Sequence, residues 1–359
     1  MVDADISSFS NSQRYKVVDG EARGHSVASR LRSEDSAISP SGRILILMNI
    51  TLLDTSVATD NLGDEIIVEA IAAIVQSLFP DAYIYRVATH EYITKISRDL
   101  IRRSQLSILC GTSALCSNMI YSAPWKLRPW DPLLLKNIVL LGAGWRDSAK
   151  RTNAYTRWVL RRALSGTMLH SVRDDFAKRK LASLGKQAEN TSCPTMWQVT
   201  PEHCATIPKK KAEAVITTVT WYKPNPKSDR ALLELLARSY KTVYCWTQQS
   251  EDRKYYDSIA IPGIKFVRPN VHEYDRTLEE ESIDYIGLRL HGGIRALQKR
   301  KRALILPVDN RASEISHDTG LPTIMRDRLD LIEEWIWSNG PTNLRLPVGA
   351  IEKWKGQFK

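Results

Sequence analysis

Short apolar runs alternate with amphipathic helical patterns along the first half of the chain. Residues 43–50 (RILILMNI) are mostly apolar and predict a strand, whereas apolar side chains recur at three- and four-residue spacing over 64–79 and predict a helix. The alternation continues with strands expected at 82–89, 106–111, 137–144 and 167–174, and with helices at 93–104, 155–164 and 175–185. This order is typical of a parallel sheet with helices on both faces.

The alternation is interrupted once and then resumes. Residues 186–212 are polar, contain three prolines and show no clear period, so we place a domain crossing there. A second series follows, with strands expected at 214–221, 241–247, 264–267, 283–290 and 303–309, and with helices at 228–239, from 292 and at 326–338. The pattern therefore predicts an α/β protein with two Rossmann-like domains that face each other across a cleft.

The two series divide the chain into four predicted parts. Residues 1–41 are polar and rich in serine and charge, which predicts a disordered leader. Residues 42–200 and 201–340 are the two expected Rossmann-like domains, and residues 341–359 are expected to form a C-terminal tail. The first residues carry early acids and no apolar core, so we expect no signal peptide, and no apolar stretch reaches the roughly 20 residues of a membrane span.

Charge and cysteine content narrow the classes of partner and compartment. The formal net charge of +11 favours an anionic partner, which could be a nucleic acid, a membrane surface or a phosphorylated substrate. Five cysteines form no C-x-x-C pair, which favours reduced thiols in a cytoplasmic protein. The spacing of Cys193, His203 and Cys204 matches no zinc pattern, so no metal site is expected.

Arg289 and His291 stand at the end of a predicted strand, in the segment DYIGLRLHGG. Ligands of open parallel sheets bind outside the carboxyl ends of the strands, and side-chain alternation would place these two residues on one face. Gly292 and Gly293 would then open a helix whose free N–H groups can meet an anion. The combination favours a phosphate or carboxylate, with the imidazole placed for proton transfer. The alternative is that Arg289 pairs with a core carboxylate and His291 caps the helix.

Two other strand–helix junctions carry polar side chains. In HSVRDD (170–175), Arg173 would extend into the same cleft, while the acids after it would cap the following helix. In TDNLGDEI (59–66), Asn61 lies in a turn and Asp64 at a helix start. A capped turn explains both residues, and a ligand contact is the open alternative.

In this order the motifs resemble those of the polysaccharide pyruvyl transferase family. The matching segments are NLGDE (61–65), LLGAGW (140–145), SVRD (171–174), RLHGGI (289–294) and LPVDNR (306–311). CGTSAL (110–115) stands where the family usually has a glycine-rich turn. The resemblance implies a fold like that of two-domain glycosyltransferases of the B type. It also implies that the pyruvyl group of phosphoenolpyruvate becomes a ketal across two sugar hydroxyls, with release of phosphate.

The resemblance also implies roles for individual residues. Arg173 and Arg289 would bind phosphoenolpyruvate, with Gly292 and Gly293 completing the donor site. His291 would be catalytic, and an imidazole with a pKa near neutrality can act first as acid and then as base. No step needs a metal, and no cofactor is expected.

The second substrate would be a saccharide, either a lipid-linked unit or a finished polymer. Tryptophan rings stack on sugar faces, and Trp145 and Trp221 are expected at the cleft. The other residues expected to line the acceptor side are Asn61, Asp64, Gly142 and Gly144. The GAG sequence at 142–144 lacks the third glycine of a dinucleotide fingerprint, so NAD is not expected.

Two alternatives stay open at this point. One is a nucleotide-sugar-dependent glycosyltransferase of the same architecture, whose arginine would bind a diphosphate. The other is a non-catalytic binder of an anionic polymer through KRKR (299–302), although that run directly precedes an expected buried strand. We expect no nucleic-acid partner, and a basic surface would suit an acceptor presented at an anionic membrane, through peripheral association.

Overall fold

The computed structural model describes residues 36–38, 44–46 and 48–359, apart from 122, 123, 136, 148 and 150. The chain divides into two units at Ile46. In the first unit, β1 (Ser36–Ile38) pairs antiparallel with β2 (Ile44–Ile46). Most of the predicted leader, residues 1–41, lies outside the described residues.

The N-terminal half of the second unit contains a parallel sheet. Its strands are β3 (Asn49–Asp54), β4 (Tyr83–Ala88), β5 (Leu106–Cys110) and β6 (Ile138–Leu141), in the order β4-β3-β5-β6. A parallel pair, β7 (His170–Val172) and β8 (Ala188–Asn190), continues beside β6 through a bridge between Ala143 and Val172. The helices are α1 (Leu62–Leu78), α2 (Lys95–Arg103), α3 (Asp131–Leu134), α4 (Ala154–Ala163) and α5 (Asp175–Ser183).

The C-terminal half is built around a second parallel sheet. Its strands are β9 (Ala214–Thr217), β10 (Thr242–Trp246), β11 (Lys265–Val267), β12 (Ile283–Gly287) and β13 (Ala303–Ile305), in the order β11-β10-β9-β12-β13. A 3-10 turn (Pro194–Met196) and α6 (Pro201–Ala205) precede it, followed by α7 (Pro226–Ser239), α8 (Ser250–Ile259), α9 (Val271–Glu280), α10 (Leu290–Gln298), α11 (Asn310–Thr319) and α12 (Leu329–Trp337). These two sheets confirm the predicted α/β class with two Rossmann-like halves.

The first strand of the N-terminal sheet differs from the expected one at 43–50. The paired strand begins at Asn49 and ends at Asp54. Ile50, Leu52 and Leu53 are completely or almost completely buried. A strand that is covered on both faces has no alternating pattern to mark where it begins, and the apolar run before it obscured the boundary.

The last residues do not form the expected tail at 341–359. They contain α13 (Val348–Gly356), and its Trp354 is fully buried, with its ring edge-on to that of Trp197. Ile351 and Trp354 belong to the core beneath the N-terminal sheet. The C-terminal helix of the chain therefore packs against the N-terminal half, which contains the first parallel sheet.

The strand orders place two sheet edges where ligands of α/β proteins bind. In the N-terminal sheet, the chain passes from β3 to β4 on one side, and the next strand, β5, lies on the other side of β3. In the C-terminal sheet, the chain passes from β9 to β10 and β11 on one side, and the next strand, β12, lies on the other side of β9. Ligands of open α/β sheets bind at such switch points, beyond the carboxyl ends of the strands. No helix of the described residues is long and apolar enough to cross a membrane.

His170 joins neighbouring strands in the N-terminal core. It is completely buried; its Nδ1 accepts a hydrogen bond from the Leu140 N–H (3.2 Å), and its Nε2 lies 3.0 Å from the Ser165 carbonyl oxygen. Nε2 must therefore carry the proton and donate it to that carbonyl. Burial lowers the pKa of His170 to about 4.

Because the folded pKa of His170 is depressed, the unfolded chain binds a proton more readily, and stability falls as pH drops below the unfolded pKa of about 6.5. Between pH 7 and pH 5 this histidine should remove about 2 kcal/mol from the free energy of unfolding. Urea unfolding at the two pH values should show a pH dependence smaller by that amount in His170→Gln. An identical pH dependence in wild type and variant would contradict the assignment.

Candidate active site

The two switch points meet where α1 lies against the C-terminal half. The Leu62 N–H donates to the Gln248 carbonyl oxygen (3.1 Å). Further along α1, Glu69 pairs with Arg295 of α10 at 3.1 Å. The cleft between the halves is therefore bounded by the start of α1 on one side and by the segments after β10 and β12 on the other.

His291 lies in the first turn of α10 rather than on a strand face. The strand predicted at 283–290 ends at Gly287, because the Leu288 N–H donates to the carbonyl oxygen of Thr218 and the Arg289 N–H donates to its Oγ1, both at 3.0 Å. These bonds turn the chain out of the sheet. Arg289 then occupies the N-cap position of α10, and residues 289 and 291 follow helical rather than strand geometry.

Gly292 and Gly293 allow α10 to approach the sheet closely. A Cβ atom on Gly293 would lie 2.3 Å from Ile305 Cγ1, and one on Gly292 would lie 3.2 Å from the Tyr285 hydroxyl. The Gly293 N–H also donates within the helix, to the Arg289 carbonyl oxygen (3.2 Å). Helix–sheet packing accounts for both glycines, so their predicted contact with the donor substrate is not supported.

Arg289 forms the core ion pair that the alternative interpretation anticipated. Its Nη2 lies 2.5 Å from Asp252 Oδ1, and its Nε donates to Asp252 Oδ2 at 3.1 Å. Nη2 also donates to Gln249 Oε1 (2.5 Å). Asp252 is completely buried, which makes this pair part of the fold of the C-terminal half. Of the three guanidinium nitrogens of Arg289, Nη1 is the one without a hydrogen-bonding partner among the residues that the structure describes.

Arg173 follows β7 in the N-terminal half and is almost completely buried. Its Nη2 donates to Ser113 Oγ (2.9 Å), and its Nε lies 3.5 Å from Asp174 Oδ2. A Cβ atom on Gly144 would lie 2.3 Å from Arg173 Nε. The glycine predicted at the cleft therefore has a specific task, which is to leave room for this guanidinium.

Arg311 is a third arginine at a strand–helix junction, and the sequence reasoning did not name it. It follows β13, and its Nε and Nη2 donate to Asp309 Oδ2 at 2.9 and 2.6 Å. Its side chain is 43% exposed. Arg311 lies close enough to Arg173 to lower the pKa of that buried guanidinium further, after burial itself. The LPVDNR segment and the recurrence of arginine after a strand were the signals that could have identified it.

His291 is a neutral imidazole at physiological pH. Burial, together with the nearby charges of Arg173 and Arg311, lowers the pKa of His291 to about 3. This pKa lies well below the value near neutrality that we expected of His291. The Nε2 of His291 lies 3.6 Å from Cys193 Sγ, which also accepts a hydrogen bond from Thr195 Oγ1 (3.1 Å). In the part of the chain described, His291 Nδ1 has no hydrogen-bonding partner.

Asp64 is a second buried titratable group at the cleft. It accepts hydrogen bonds from Thr59 Oγ1 (2.9 Å) and Thr112 Oγ1 (3.3 Å), and burial raises its pKa. Thr112 has a left-handed φ of +47°, directly after Gly111 with a φ of +52°. This is the turn in which the family usually has more glycine. Two hydrogen bonds hold the strained backbone of Thr112. Its Oγ1 donates to Asp64, and its carbonyl oxygen accepts from the Gly144 N–H (2.7 Å).

The two tryptophans predicted at the acceptor side differ in their surroundings. The Trp221 ring is 45% exposed, and its Nε1 donates to Gln249 Oε1 (3.2 Å). Trp145 is buried in the N-terminal core, where its Nε1 donates to Ser117 Oγ (3.0 Å) and Lys180 Nζ lies 5.3 Å from the ring centroid. A stacking contact of Trp145 with sugar is not supported, because its faces are already covered.

The remaining predicted acceptor residues shape the backbone. Asn61 caps α1 by accepting a hydrogen bond from the Gly63 N–H (3.1 Å). Gly142 has a left-handed φ of +68°, and a Cβ atom there would lie 2.1 Å from Pro194 Cδ. Asn61 also borders a pocket, whereas Gly142 serves a buried turn and leaves no room for a ligand.

That pocket has a volume of about 480 Å³ and lies between the start of α1 and the segments after β10 and β11. Its lining includes Asn61, Glu65, Gln249, Arg253, Phe266 and Arg268. His291, Arg173 and Arg311 do not line it. Gln249 connects the pocket to the rest of the site, because its side chain accepts from both Trp221 and Arg289.

A model of the polysaccharide pyruvyl transferase family matches residues 61–310, which is well over half of the chain. The chain belongs to this family. Comparison with curated proteins gave no match.

Solved structures with a similar chain path are sugar enzymes of low sequence identity. The UDP-GlcNAc 2-epimerase of Methanocaldococcus jannaschii is 10% identical with a TM-score of 0.47, and the match covers 87% of this chain and 97% of the epimerase. The Neisseria meningitidis UDP-GlcNAc 2-epimerase is 13% identical with a TM-score of 0.42, over 87% and 94% of the two chains. The Escherichia coli heptosyltransferase WaaC is 9% identical with a TM-score of 0.39, over 80% and 99%.

The KRKR run (299–302) takes part in the fold. Lys299 Nζ lies 2.5 Å from Glu279 Oε1 and 3.3 Å from Asp275 Oδ2. Arg302 is buried and pairs with Asp284 at 3.3 Å. Lys299 and Arg302 are neutralised within the protein and are therefore poor contacts for a polymer, which argues against the polymer-binding alternative. Among the described residues, no group of three or more His, Cys, Asp or Glu could hold a metal ion.

Gly144→Ala should displace the Arg173 guanidinium, because the added methyl group would overlap it. Gly166 is the matched control, since a Cβ atom there would meet only Lys186 Nζ, at 4.0 Å. We expect Gly144→Ala to lower affinity for an anionic ligand of the cleft by at least about tenfold, corresponding to one charge-assisted hydrogen bond. Calorimetry with phosphoenolpyruvate measures this. Equal affinities of Gly144→Ala and Gly166→Ala would contradict the role assigned to Gly144.

Proposed function

We propose that the protein transfers the pyruvyl group of phosphoenolpyruvate onto two hydroxyls of a saccharide, forming a ketal and releasing phosphate. The observation that carries the proposal is a buried imidazole whose pKa is lowered by burial and by two guanidinium groups within electrostatic reach. Arg173 comes from the N-terminal half, whereas His291 and Arg311 come from the C-terminal half. Family membership supports the same reaction class.

The donor is held by the arginines in this proposal. Phosphoenolpyruvate carries a phosphate and a carboxylate, and each charge-assisted contact would contribute about 1.5–3 kcal/mol. Arg173 is suited to this task because its charge is buried with a carboxylate no nearer than 3.5 Å, so an anion would relieve its desolvation. The Arg311 side chain is 43% exposed, and its Nη1 group has no hydrogen-bonding partner in the described part of the chain. The Nη1 group of Arg289 remains able to donate, as a supplementary contact beside its pair with Asp252.

Donor binding would also change the protonation of His291. Burial is the largest cause of the low pKa of His291, and the charges of Arg173 and Arg311 lower it further. The negative charge of a bound donor would offset the effect of these two arginines. The pKa therefore rises toward its ordinary value, and the imidazole takes up a proton. Cys193 occupies the Nε2 side, so Nδ1 is the nitrogen that we assign to proton transfer.

The chemical steps then balance as follows. The His291 imidazolium protonates the methylene carbon of phosphoenolpyruvate, which becomes a methyl group and leaves the adjacent carbon electrophilic. A sugar hydroxyl attacks that carbon and gives its proton to the now neutral His291. A second hydroxyl of the sugar displaces inorganic phosphate, which takes the second hydroxyl proton as it leaves. The ketal carbon ends bonded to two sugar oxygens, a methyl group and a carboxylate.

The acceptor is assigned to the side of the site that contains Trp221. Its exposed ring can stack on a sugar, and Gln249 links it to the 480 Å³ pocket. We assign Asp64, whose pKa burial raises, to hydrogen bonding with acceptor hydroxyls. We propose that the acceptor is a glycan precursor carried by a lipid or a polymer, and that the enzyme works in the cytoplasm, where its five free cysteines stay reduced.

Calorimetry should detect binding of phosphoenolpyruvate to the wild type. Arg173→Gln and Arg311→Gln should each weaken it at least about tenfold, because each removes a charge-assisted contact. Arg230→Gln is the matched control, since Arg230 is exposed and its guanidinium contacts Glu234 on the same helix and the Ala260 carbonyl oxygen rather than the site. His291→Gln should retain donor binding and lose acceptor-dependent phosphate release.

Two results would contradict this proposal. Binding of UDP- or GDP-sugars without binding of phosphoenolpyruvate would favour the nucleotide-sugar-dependent glycosyltransferase. Normal acceptor-dependent phosphate release by His291→Gln would remove the imidazole from the reaction.

A further inference from the structure

The N-terminal half exposes a group of large apolar and aromatic side chains away from the cleft residues. We call this group the aromatic face. Its members, with their exposed fractions, are Tyr92 (56%), Ile120 (57%), Tyr121 (87%), Trp130 (53%), Leu133 (49%) and Trp158 (41%). Single exposed apolar residues are common, but a cluster of this size marks an interaction surface.

Contacts beneath the surface show that these residues lie together. Helix α3, which carries Leu133, packs against α4, which carries Trp158. Tyr155 of α4 lies with its ring centroid 6.2 Å from that of Trp158, and burial together with Asp131 and Tyr92 raises the pKa of Tyr155. The face is therefore built from α3, α4 and the loop before α2.

Hydrogen bonds attach the remaining loop to the start of α4. The Met119 N–H donates to Thr156 Oγ1 (2.8 Å), and Asn153 Nδ2 donates to Asn118 Oδ1 (2.9 Å). The same Asn118 oxygen accepts from the Ile120 N–H (3.1 Å). Ile120 and Tyr121 are thereby held beside the helix that carries Trp158.

Basic side chains surround the aromatic face. Arg157, Arg161 and Arg162 line a shallow cavity of about 420 Å³ together with Trp158, and α4 contains no acidic residue. Arg128 lies over the Tyr92 ring, 5.4 Å from its centroid. The acid in α3, Asp131, is buried and accepts from the Arg128 N–H (2.7 Å), so it is withdrawn from the surface.

We infer that the aromatic face, with the arginines of α4, binds the surface of an anionic phospholipid bilayer. Tryptophan and tyrosine favour the boundary between headgroups and acyl chains, and arginines beside them are attracted to anionic headgroups. A helix with buried apolar residues on one side and tryptophan among arginines on the other is suited to lie in that boundary. The inference stands on this surface alone, and it would bring the enzyme to acceptors carried by lipids.

Sedimentation of the full-length protein with vesicles tests the inference. We expect binding to phosphatidylglycerol vesicles, little binding to phosphatidylcholine vesicles, and weaker binding at high salt. Replacing Arg157, Arg161 and Arg162 with Gln should lower the affinity about fivefold per arginine. The charge-matched control replaces the exposed Lys209, Lys210 and Lys227 with Gln and should bind nearly as the wild type does.

Insertion of the aromatic side chains is tested separately from charge. Vesicles containing brominated acyl chains should quench tryptophan fluorescence, and Trp130→Phe with Trp158→Phe should remove most of that quenching. Trp337→Phe is the control, because Trp337 is 61% exposed and has Lys211 over its ring in the C-terminal half. The affinity of each variant for phosphoenolpyruvate is a separate measurement, which reports on the cleft and does not depend on membrane binding.

Three outcomes would overturn the inference. These are absence of binding to anionic vesicles, equal losses in the arginine and lysine triple variants, and quenching that the Trp130 and Trp158 substitutions leave unchanged. If single-stranded nucleic acid displaced the protein from the vesicles, and if this displacement depended on the same arginines, the surface would be assigned to nucleic acid instead.

Discussion

The buried guanidinium of Arg173 is the group on which the geometry of the site depends. A charge taken out of water is costly unless it is compensated, and Arg173 has one hydroxyl at 2.9 Å and one carboxylate at 3.5 Å. Gly144 leaves the space that it fills, and the strained Thr112 turn is bonded to Gly144. Burial, together with the charges of Arg173 and Arg311, lowers the pKa of His291 and keeps its imidazole neutral.

The fold explains why the charges meet there. Each sheet has its switch point at the carboxyl edge, and the contact between Leu62 and Gln248 holds the two edges against each other. Arg173 and Arg311 follow strands of different sheets, so each half supplies one guanidinium. Helix α13 returns to the N-terminal core, where burial of Trp354 anchors the end of the chain.

Much of this architecture could be predicted from the sequence, because buried strands and amphipathic helices differ in period. The boundaries were harder: the strand ending at Gly287 was expected to reach residue 290, since no sequence signal revealed the bonds from Thr218. The signal for α13 was present in Ile351, Trp354 and Phe358, which recur at helical spacing.

The side-chain chemistry of the site was only partly accessible from sequence. Arginine after a strand pointed to anion binding. The sequence does not show, however, that Arg289 is already paired with Asp252 or that the Arg311 side chain is partly exposed. Nor could the pKa of His291 be foreseen, because it depends on burial and on two arginines that are 118 and 20 residues away along the chain.

The most direct test is a histidine NMR titration of labelled protein, with the His291 resonance assigned by comparison with His291→Gln. Without ligand, His291 should stay neutral throughout the pH range in which the protein is folded, consistent with a pKa of about 3. Saturating phosphoenolpyruvate should move its protonation toward pH 6.5, the ordinary range for histidine. A His291 resonance whose titration is identical with and without phosphoenolpyruvate would contradict the account.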